Sequence, residues 1–442
     1  MLLLGLRNRF GERAGAAVRQ GLTTVLDQGI VSVTNFATAI IIARGASKDA
    51  LGLYSLGFGI LLLATSVQSA LVSVPYNVYC MRVPEGERAR YSGDVLLHQV
   101  ALSLLVAAAG AAAGYVLGTI RRGDELATVL VIVAVVAPLA LAREFGRQMF
   151  FSRLRFTSAL LLDVAVAVVQ LGGLLLLWRR GVLSARTAYA ITGVAAAVAA
   201  LLWAVRARPL LAVRPGKETL SSFRKNWATG SWSLGASVLS VVAAQMYPWF
   251  IATSRGLGEV GTFAACTGIV AMTNPILIGM GNALSPRITH AFSAGGIAAV
   301  QRMTRIALAV FLAVMLVMCP LLFLLGGELL GHLYGPSFAS QGVTVGLLSV
   351  ALVADWLSLP AHYALLVTDR AHVMLKANVL VVVVNATVGF ALVTIFSAPG
   401  AALGLLAGNA LATAFKWREY RRTVVAVTSG EREAARTSWG TG

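Results

Sequence analysis

Hydrophobic residues make up 58% of this 442-residue chain and charged residues only 12%, yet the net charge is +18. The apolar residues gather in blocks of about twenty, the length a helix needs to cross about 30 Å of hydrocarbon, so a soluble globular fold is excluded. A nucleic-acid-binding role is excluded as well, because no segment outside the apolar blocks is large enough to fold as a basic domain.

Twelve spans are predicted. Six lie near 22–43, 51–73, 95–118, 126–143, 157–178 and 187–206. Six more lie near 230–252, 260–283, 305–326, 342–366, 371–396 and 399–416. Backbone groups in lipid must be satisfied within a segment, which selects helices. Barrel strands would alternate polar and apolar residues, whereas Leu174–Leu177 and Val379–Val384 are continuous apolar runs. The expected fold is therefore an all-α polytopic membrane protein. Residues 1–21 read as an interfacial helix with Arg7, Arg9, Arg13 and Arg19 toward head groups. Residues 22–206 form an N-terminal six-helix lobe, 207–229 a basic cytoplasmic linker, 230–417 a C-terminal six-helix lobe and 418–442 a cytoplasmic tail. Beyond Tyr420 that tail is expected to be disordered. Between Pro286 and Arg305, Ile288, Phe292, Ile297, Val300 and Met303 suggest an amphipathic segment on the inner surface.

With the N-terminus inside, the inner segments hold 28 of the 36 Lys and Arg residues and the outer loops hold 8. The positive-inside rule then places both termini in the cytoplasm. The net charge becomes a feature of the anionic inner leaflet. Cys80, Cys266 and Cys319 have neither disulfide nor metal spacing and read as packing residues, so no metal is expected.

The two halves resemble each other. Ala43-Arg44-Gly45 is matched by Ser254-Arg255-Gly256 at 211 positions later, Gly52-Leu53-Tyr54 by Gly261-Thr262-Phe263 at 209, and Pro75 by Pro286 at 211. An even number of spans per copy inserts both the same way up. The expectation is two pseudo-symmetric six-helix lobes around a central cavity.

Val25-Leu26-Asp27-Gln28, Ser32, Asn35-Phe36, Arg44, Gly52-Leu53-Tyr54, Gln68 and Pro75 resemble the first two helices of polysaccharide-biosynthesis flippases. These belong to the multidrug/oligosaccharidyl-lipid/polysaccharide (MOP) exporter superfamily. Arg143-Glu144-Phe145-Gly146-Arg147 through Arg153, then Leu161-Leu162-Asp163 and Gln170-Leu171-Gly172-Gly173, are similar to its helices 4 and 5. His332-Leu333-Tyr334-Gly335-Pro336 is similar to the turn after its helix 9. The resemblance implies a flippase, not an enzyme, that moves an undecaprenyl-pyrophosphate-linked sugar or oligosaccharide to the outer leaflet by alternating access. It also implies the bacterial plasma membrane, and a polysaccharide polymerase or glycosyltransferases as partners beside the membrane lipids. The related lipid II flippases carry two further helices and arginines within the first helix. This chain has neither, so a peptidoglycan role is not expected.

A charged side chain at mid-bilayer costs about 2.5–3.5 kcal/mol on insertion scales, so Asp27, Asp163 and Asp355 each need a reason. Gln28, Ser32 and Asn35 make one polar stripe on helix 1, with Asp27 on its flank. Two readings stay open, interhelical hydrogen bonds and a wall of the sugar cavity. Gln68, Gln170, Ser237 and Gln245 complete the candidate cavity residues. Arg143 and Arg147, one turn apart, and Arg287 form a candidate inner rim for pyrophosphate, because guanidinium groups grip phosphate. The alternative for the α-helical pair is a positive-inside anchor with Glu144 as internal partner. Asp27, Asp163 and Asp355 are candidates for binding a coupling ion, proton or sodium. Asp163 serves equally well as a lock on Arg147 or Arg155. His98 reads as a satisfied core residue. Arg44 and Arg255 read as snorkelling to outer head groups.

Two other functions compete with flipping. A cation-coupled multidrug exporter would want carboxylates without compensating arginines. A membrane-embedded glycan polymerase or ligase would want a sizeable outer loop, and the longest expected, 327–341, is short. No Gly-rich nucleotide-phosphate loop is present, so no ATP-driven step is expected and no cofactor is implied.

Overall fold

The structure, a computed structural model, describes the backbone of residues 2–121 and 123–439. It describes side chains within 21–429 except at 22, 122 and 232. Every regular element among these residues is helical. The helices are α1 (Leu2–Gly45), α2 (Lys48–Gln68), α3 (Val74–Tyr79), α4 (Arg88–Ile120), α5 (Glu125–Ser152), α6 (Phe156–Arg179) and α7 (Ala185–Ala207). They continue as α8 (Lys217–Ser254), α9 (Leu257–Ala271), α10 (Asn274–Tyr334), α11 (Gly342–Trp356), α12 (Leu359–Val367), α13 (His372–Val384) and α14 (Phe390–Trp439).

Ten helical stretches among the described residues are long and apolar enough to cross a membrane. Two of them are each bent once. Gly295 (φ −151) and Gly296 (φ 56) interrupt α10, and Ser397 (φ 56) interrupts α14. Dividing these at their bends gives twelve apolar stretches, and the expected eighth span, 260–283, is split at Met272–Thr273 between α9 and the first arm of α10. Shorter interruptions have local causes. A π-helical turn at Ser69–Ser73 joins α2 to α3 just before Pro75, and Pro275 and Pro360 begin α10 and α12, where a missing amide donor costs least. Helix starts are fixed by side chains. Ser47 accepts from the Ala50 amide at 3.1 Å, Asp124 from Leu126 at 2.8 Å, and Ser184 forms a capping box with Thr187.

The chain forms two compact units, Met1–Val238 and Leu239–Gly442. Their boundary falls inside α8, downstream of the basic segment 207–229. In the first unit Val72, Tyr76, Tyr91, Phe145, Met149 and Trp203 share a core. In the second, Leu284, Ile288, Val300, Phe311, Leu365 and Tyr420 do so.

Three pairs of left-handed backbone positions recur in order in the two units, while Gly256 (φ 91) and Gly296 (φ 56) have no counterpart at that spacing. Gly123 (φ 81) is matched by Gly335 (φ 118) at 212 positions, Leu154 (φ 57) by Asp369 (φ 56) at 215, and Gly181 (φ 69) by Ser397 (φ 56) at 216. Each sits where one crossing turns into the next.

Four expectations are revised. The tail beyond Tyr420 continues as helix to Trp439, because Glu431-Arg432-Glu433-Ala434-Ala435-Arg436 are strong helix formers with no breaker before Gly440. Residues 286–305 do not form a separate surface segment. They lie in the two arms of α10, and the turn between them comes at Gly295–Gly296. Part of the linker is helical, since α8 begins at Lys217 and only residues near Leu211–Gly216 are irregular. The backbone before Leu22 belongs to α1, which runs unbroken from Leu2, while the arginine side chains expected to face head groups there lie outside the described residues.

The start of α8 packs onto the first unit through a polar seam. Buried Asp94 on α4 accepts from Thr219 Oγ1 at 2.8 Å and Ser222 Oγ at 3.0 Å. Tyr91 donates to Asn226 at 2.8 Å, and Lys225 lies 4.1 Å over the Tyr79 ring. The approach needs a glycine at Gly93, where a Cβ would meet the Ala212 carbonyl at 2.2 Å.

Candidate functional site, an arginine and carboxylate cluster in the first unit

Helix α5 presents Arg143 and Arg147 on one face, one turn apart. That face meets α1 and α6, which pack on each other. Arg147 Nη2 donates to Asp27 Oδ2 at 2.7 Å and Arg147 Nε to Asp163 Oδ2 at 2.7 Å. Arg143 Nη2 donates to the other oxygen of Asp163. One guanidinium thus ties α1, α5 and α6 together. Asp27 is 1% exposed and Asp163 2%. Burying two carboxylates is costly unless each is paired and hydrogen-bonded, and the two arginines meet that condition. Arg147 Nη1 reaches Glu144 Oε1 at 3.5 Å, Gln148 Nε2 donates to the same oxygen at 2.9 Å, and Phe151 covers the guanidinium with its ring centroid at 4.9 Å.

Farther along α6, buried Gln170 donates to Thr38 of α1 at 2.9 Å. Asp163 and Gln170 do share a face, and that face is the seam with α1. The buried positions of α1 are Asp27, Thr34, Thr38, Ile41 and Ile42. Gln28 and Ser32 are half-exposed beside this seam, and Asn35 is exposed. Gln68 is fully buried away from the cluster, donating to Gln99 at 2.9 Å and to the Leu141 carbonyl at 2.7 Å. His98 Nε2 contacts the Thr219 carbonyl at 3.0 Å while its buried Nδ1 has no partner, so the residue is only partly satisfied. Ser237 is half-exposed near the end of the first unit. Arg153 is engaged too, donating to Ser92 at 2.8 Å.

In the second unit Gln245 is half-exposed, and Arg287 and Asp355 are exposed. Asp355 faces the charge of Lys416, which also donates to Ser358 at 3.0 Å. Arg255 does more than snorkel, since it caps the Thr394 and Ile395 carbonyls where α14 breaks. Sequence reasoning missed Asn385, which accepts from Tyr247 at 2.9 Å and donates to the Ala243 carbonyl at 3.0 Å. An asparagine inside an apolar run was the available signal. A cavity of about 720 Å³ near Gly327–Val343 contains none of the expected site residues. Among the described residues no group of three or more His, Cys, Asp or Glu could hold a metal ion.

The described residues form a helical bundle with a charged cluster between apolar helices, and solved structures of membrane transporters share this fold. An inward-facing multidrug resistance MATE family transporter of the MOP superfamily superposes with a TM-score of 0.76 at 15% identity, covering 90% of this chain and 95% of that one. An outward-facing MATE family transporter gives 0.64 at 15% identity, covering 94% and 96%. A MOP superfamily transporter from Pyrococcus furiosus, described as having a binding pocket of reverse polarity that suggests a different function, gives 0.65 at 16% identity, covering 93% and 96%. No curated protein sequence matches the chain. The family model for polysaccharide biosynthesis protein matches residues 82–292. The chain thus has the fold of these transporters, and residues 82–292 match the polysaccharide biosynthesis family model.

Proposed function

We propose that this protein flips an undecaprenyl-pyrophosphate-linked sugar or oligosaccharide across the bacterial plasma membrane for polysaccharide biosynthesis. The lobes alternate access, both termini face the cytoplasm, and no bond is made or broken. The observation that carries this reading is the polysaccharide biosynthesis match across 82–292, a stretch that includes Arg143 and Arg147. Those arginines are the chemistry a pyrophosphate needs on entry from the inner leaflet. A polymerase or glycosyltransferases would supply and consume such a substrate.

The multidrug-exporter reading has one specific observation in its favour, the buried carboxylates Asp27 and Asp163 within the bundle. Against it, both already hold a guanidinium group, so neither is free for a cationic drug or a coupling ion without first releasing Arg147.

The experiment is glycan export in cells carrying Arg143→Gln with Arg147→Gln. Export per membrane-inserted protein is expected to stop, measured at matched amounts of protein in the membrane because losing Arg147 also lowers stability. Full export in the double variant leaves these arginines only their structural role and removes the pyrophosphate reading.

A further inference from the structure

The contacts of Arg147 are unequal. Nε and Nη2 each make 2.7 Å bonds to carboxylates whose side chains are 1% exposed. Nη1 makes only a 3.5 Å contact, to Glu144, whose side chain is 23% exposed. One face of the guanidinium is covered by Phe151. The open edge of Arg147 is therefore the edge that Glu144 occupies. Arg143 adds a second donor, its buried Nε, which has no partner. Two guanidinium groups here face three carboxylates, so the cluster carries one excess negative charge. Without Glu144 it would be neutral, and Arg147 Nη1 would lose its carboxylate partner.

We propose that Glu144 is a built-in stand-in for the substrate's phosphate. It holds the open edge of Arg147 when the site is empty and is displaced when a phosphate oxyanion arrives. Glu144 thereby sets how tightly the site takes an anionic head group. The exchange breaks only the weakest contact of the cluster. The Asp27 and Asp163 bonds stay intact, so α1, α5 and α6 remain tied while the substrate binds. Gln148, one turn beyond Glu144, receives the released carboxylate through the hydrogen bond it already makes. This proposal rests on the pyrophosphate reading above.

The test is equilibrium binding of farnesyl pyrophosphate to the full chain in phosphatidylcholine nanodiscs. Glu144→Gln removes the excess charge and keeps the shape. It is expected to bind about threefold to tenfold tighter than the parent, the scale of a partly exposed charge interaction. Glu144→Asp, which keeps the charge but draws it back from Nη1, should fall between. Thermal melts of the same nanodiscs establish that each variant is folded, and Glu144→Asp carries the test if Glu144→Gln is not. A purely structural Glu144 would give weaker or equal binding, and that result overturns the proposal. Adding phosphatidylglycerol to the bilayer should leave the probe's affinity unchanged. Loss of the probe in that arm assigns the edge to a lipid head group and overturns the substrate role. The Arg143→Gln, Arg147→Gln protein separates the two levels. If it loses the probe while Glu144→Gln is unchanged, only the Glu144 proposal fails. If it binds as the parent does, the pyrophosphate reading fails and this proposal with it.

Discussion

Leu154 and Asp369 occupy the same place in the two units. Each stands alone at left-handed φ, 57 and 56 degrees, in the turn after a crossing. Each is followed by an arginine whose amide donates five residues back, Arg155 to Phe150 at 2.8 Å and Arg370 to Leu365 at 2.9 Å. A turn closed this way satisfies the last carbonyls of the helix before it. Its recurrence 215 positions apart is what a duplicated unit leaves behind after its side chains have diverged.

The same turn gives a stability prediction. A left-handed conformation costs an ordinary L-residue about 1–2 kcal/mol, and glycine offsets part of the gain through its extra unfolded-state entropy. Leu154 is 60% exposed, so its side chain gives up little packing. Leu154→Gly is expected to raise stability by about 0.5–1 kcal/mol. Asp369→Gly should gain less, because aspartate tolerates this region better. Thermal unfolding in detergent checks the order of the two.

Arg147 should be the costliest residue of the cluster to lose. Removing one member of a buried ion pair leaves an uncompensated charge, at about 3–5 kcal/mol. Arg147→Leu is expected to unfold well below the parent. Adding Asp27→Asn to Arg147→Leu should recover much of the loss, because Asp27 is the carboxylate left stranded while Asp163 keeps its pair with Arg143. A double variant no more stable than the single one would show that the cluster is not held by charge pairing.

Asp94 should hold the start of α8 in place. It accepts two hydroxyl hydrogen bonds while 3% exposed. Asp94→Ala leaves Thr219 and Ser222 without that acceptor, at about 1–3 kcal/mol. The expected signature is faster amide hydrogen exchange over 217–230 with little change in α5. Uniform acceleration across the first unit would mean that Asp94 supports the whole bundle instead.

Much of this was readable from the chain. The twelve blocks were visible because crossing length is a local property of hydrophobic runs. The expectation of a repeat rested on Arg44 and Arg255, Gly52 and Gly261, and Pro75 and Pro286. The cluster was only partly visible. Asp163 as a lock on Arg147 was one of two open readings, but Asp27 lies 120 positions from Arg147, and helix spacing cannot tell which helices will meet. The polar stripe Gln28, Ser32 and Asn35 lies beside the seam of α1 with α6, not in it. The seam is built from Asp27, Thr34 and Thr38, and threonine in an apolar run looks like any small residue. The bends at Gly295–Gly296 and Ser397 were blurred because apolar residues surround both.

Membrane orientation is expected from the distribution of Lys and Arg. A cysteine placed at Ser337, in the turn after α10, should react with an impermeant thiol reagent added outside intact cells. A cysteine at Arg214 should react only after the membrane is opened. The opposite pattern would invert the topology and put Arg143 and Arg147 on the wrong side for a substrate made in the cytoplasm.

The central claim is that an anionic lipid-linked sugar crosses the bilayer through this protein, and the direct measurement is translocation in reconstituted vesicles. A fluorescent undecaprenyl-pyrophosphate-linked sugar is loaded into the bilayer, and a membrane-impermeant quencher reports what remains on the outer face. Parallel vesicles of the same preparation contain a cationic dye. The account predicts saturable translocation of the lipid-linked sugar, lost in the Arg143→Gln, Arg147→Gln protein, with no dye movement above protein-free vesicles. Dye transport with an immobile lipid-linked sugar would contradict it and make the protein a drug exporter.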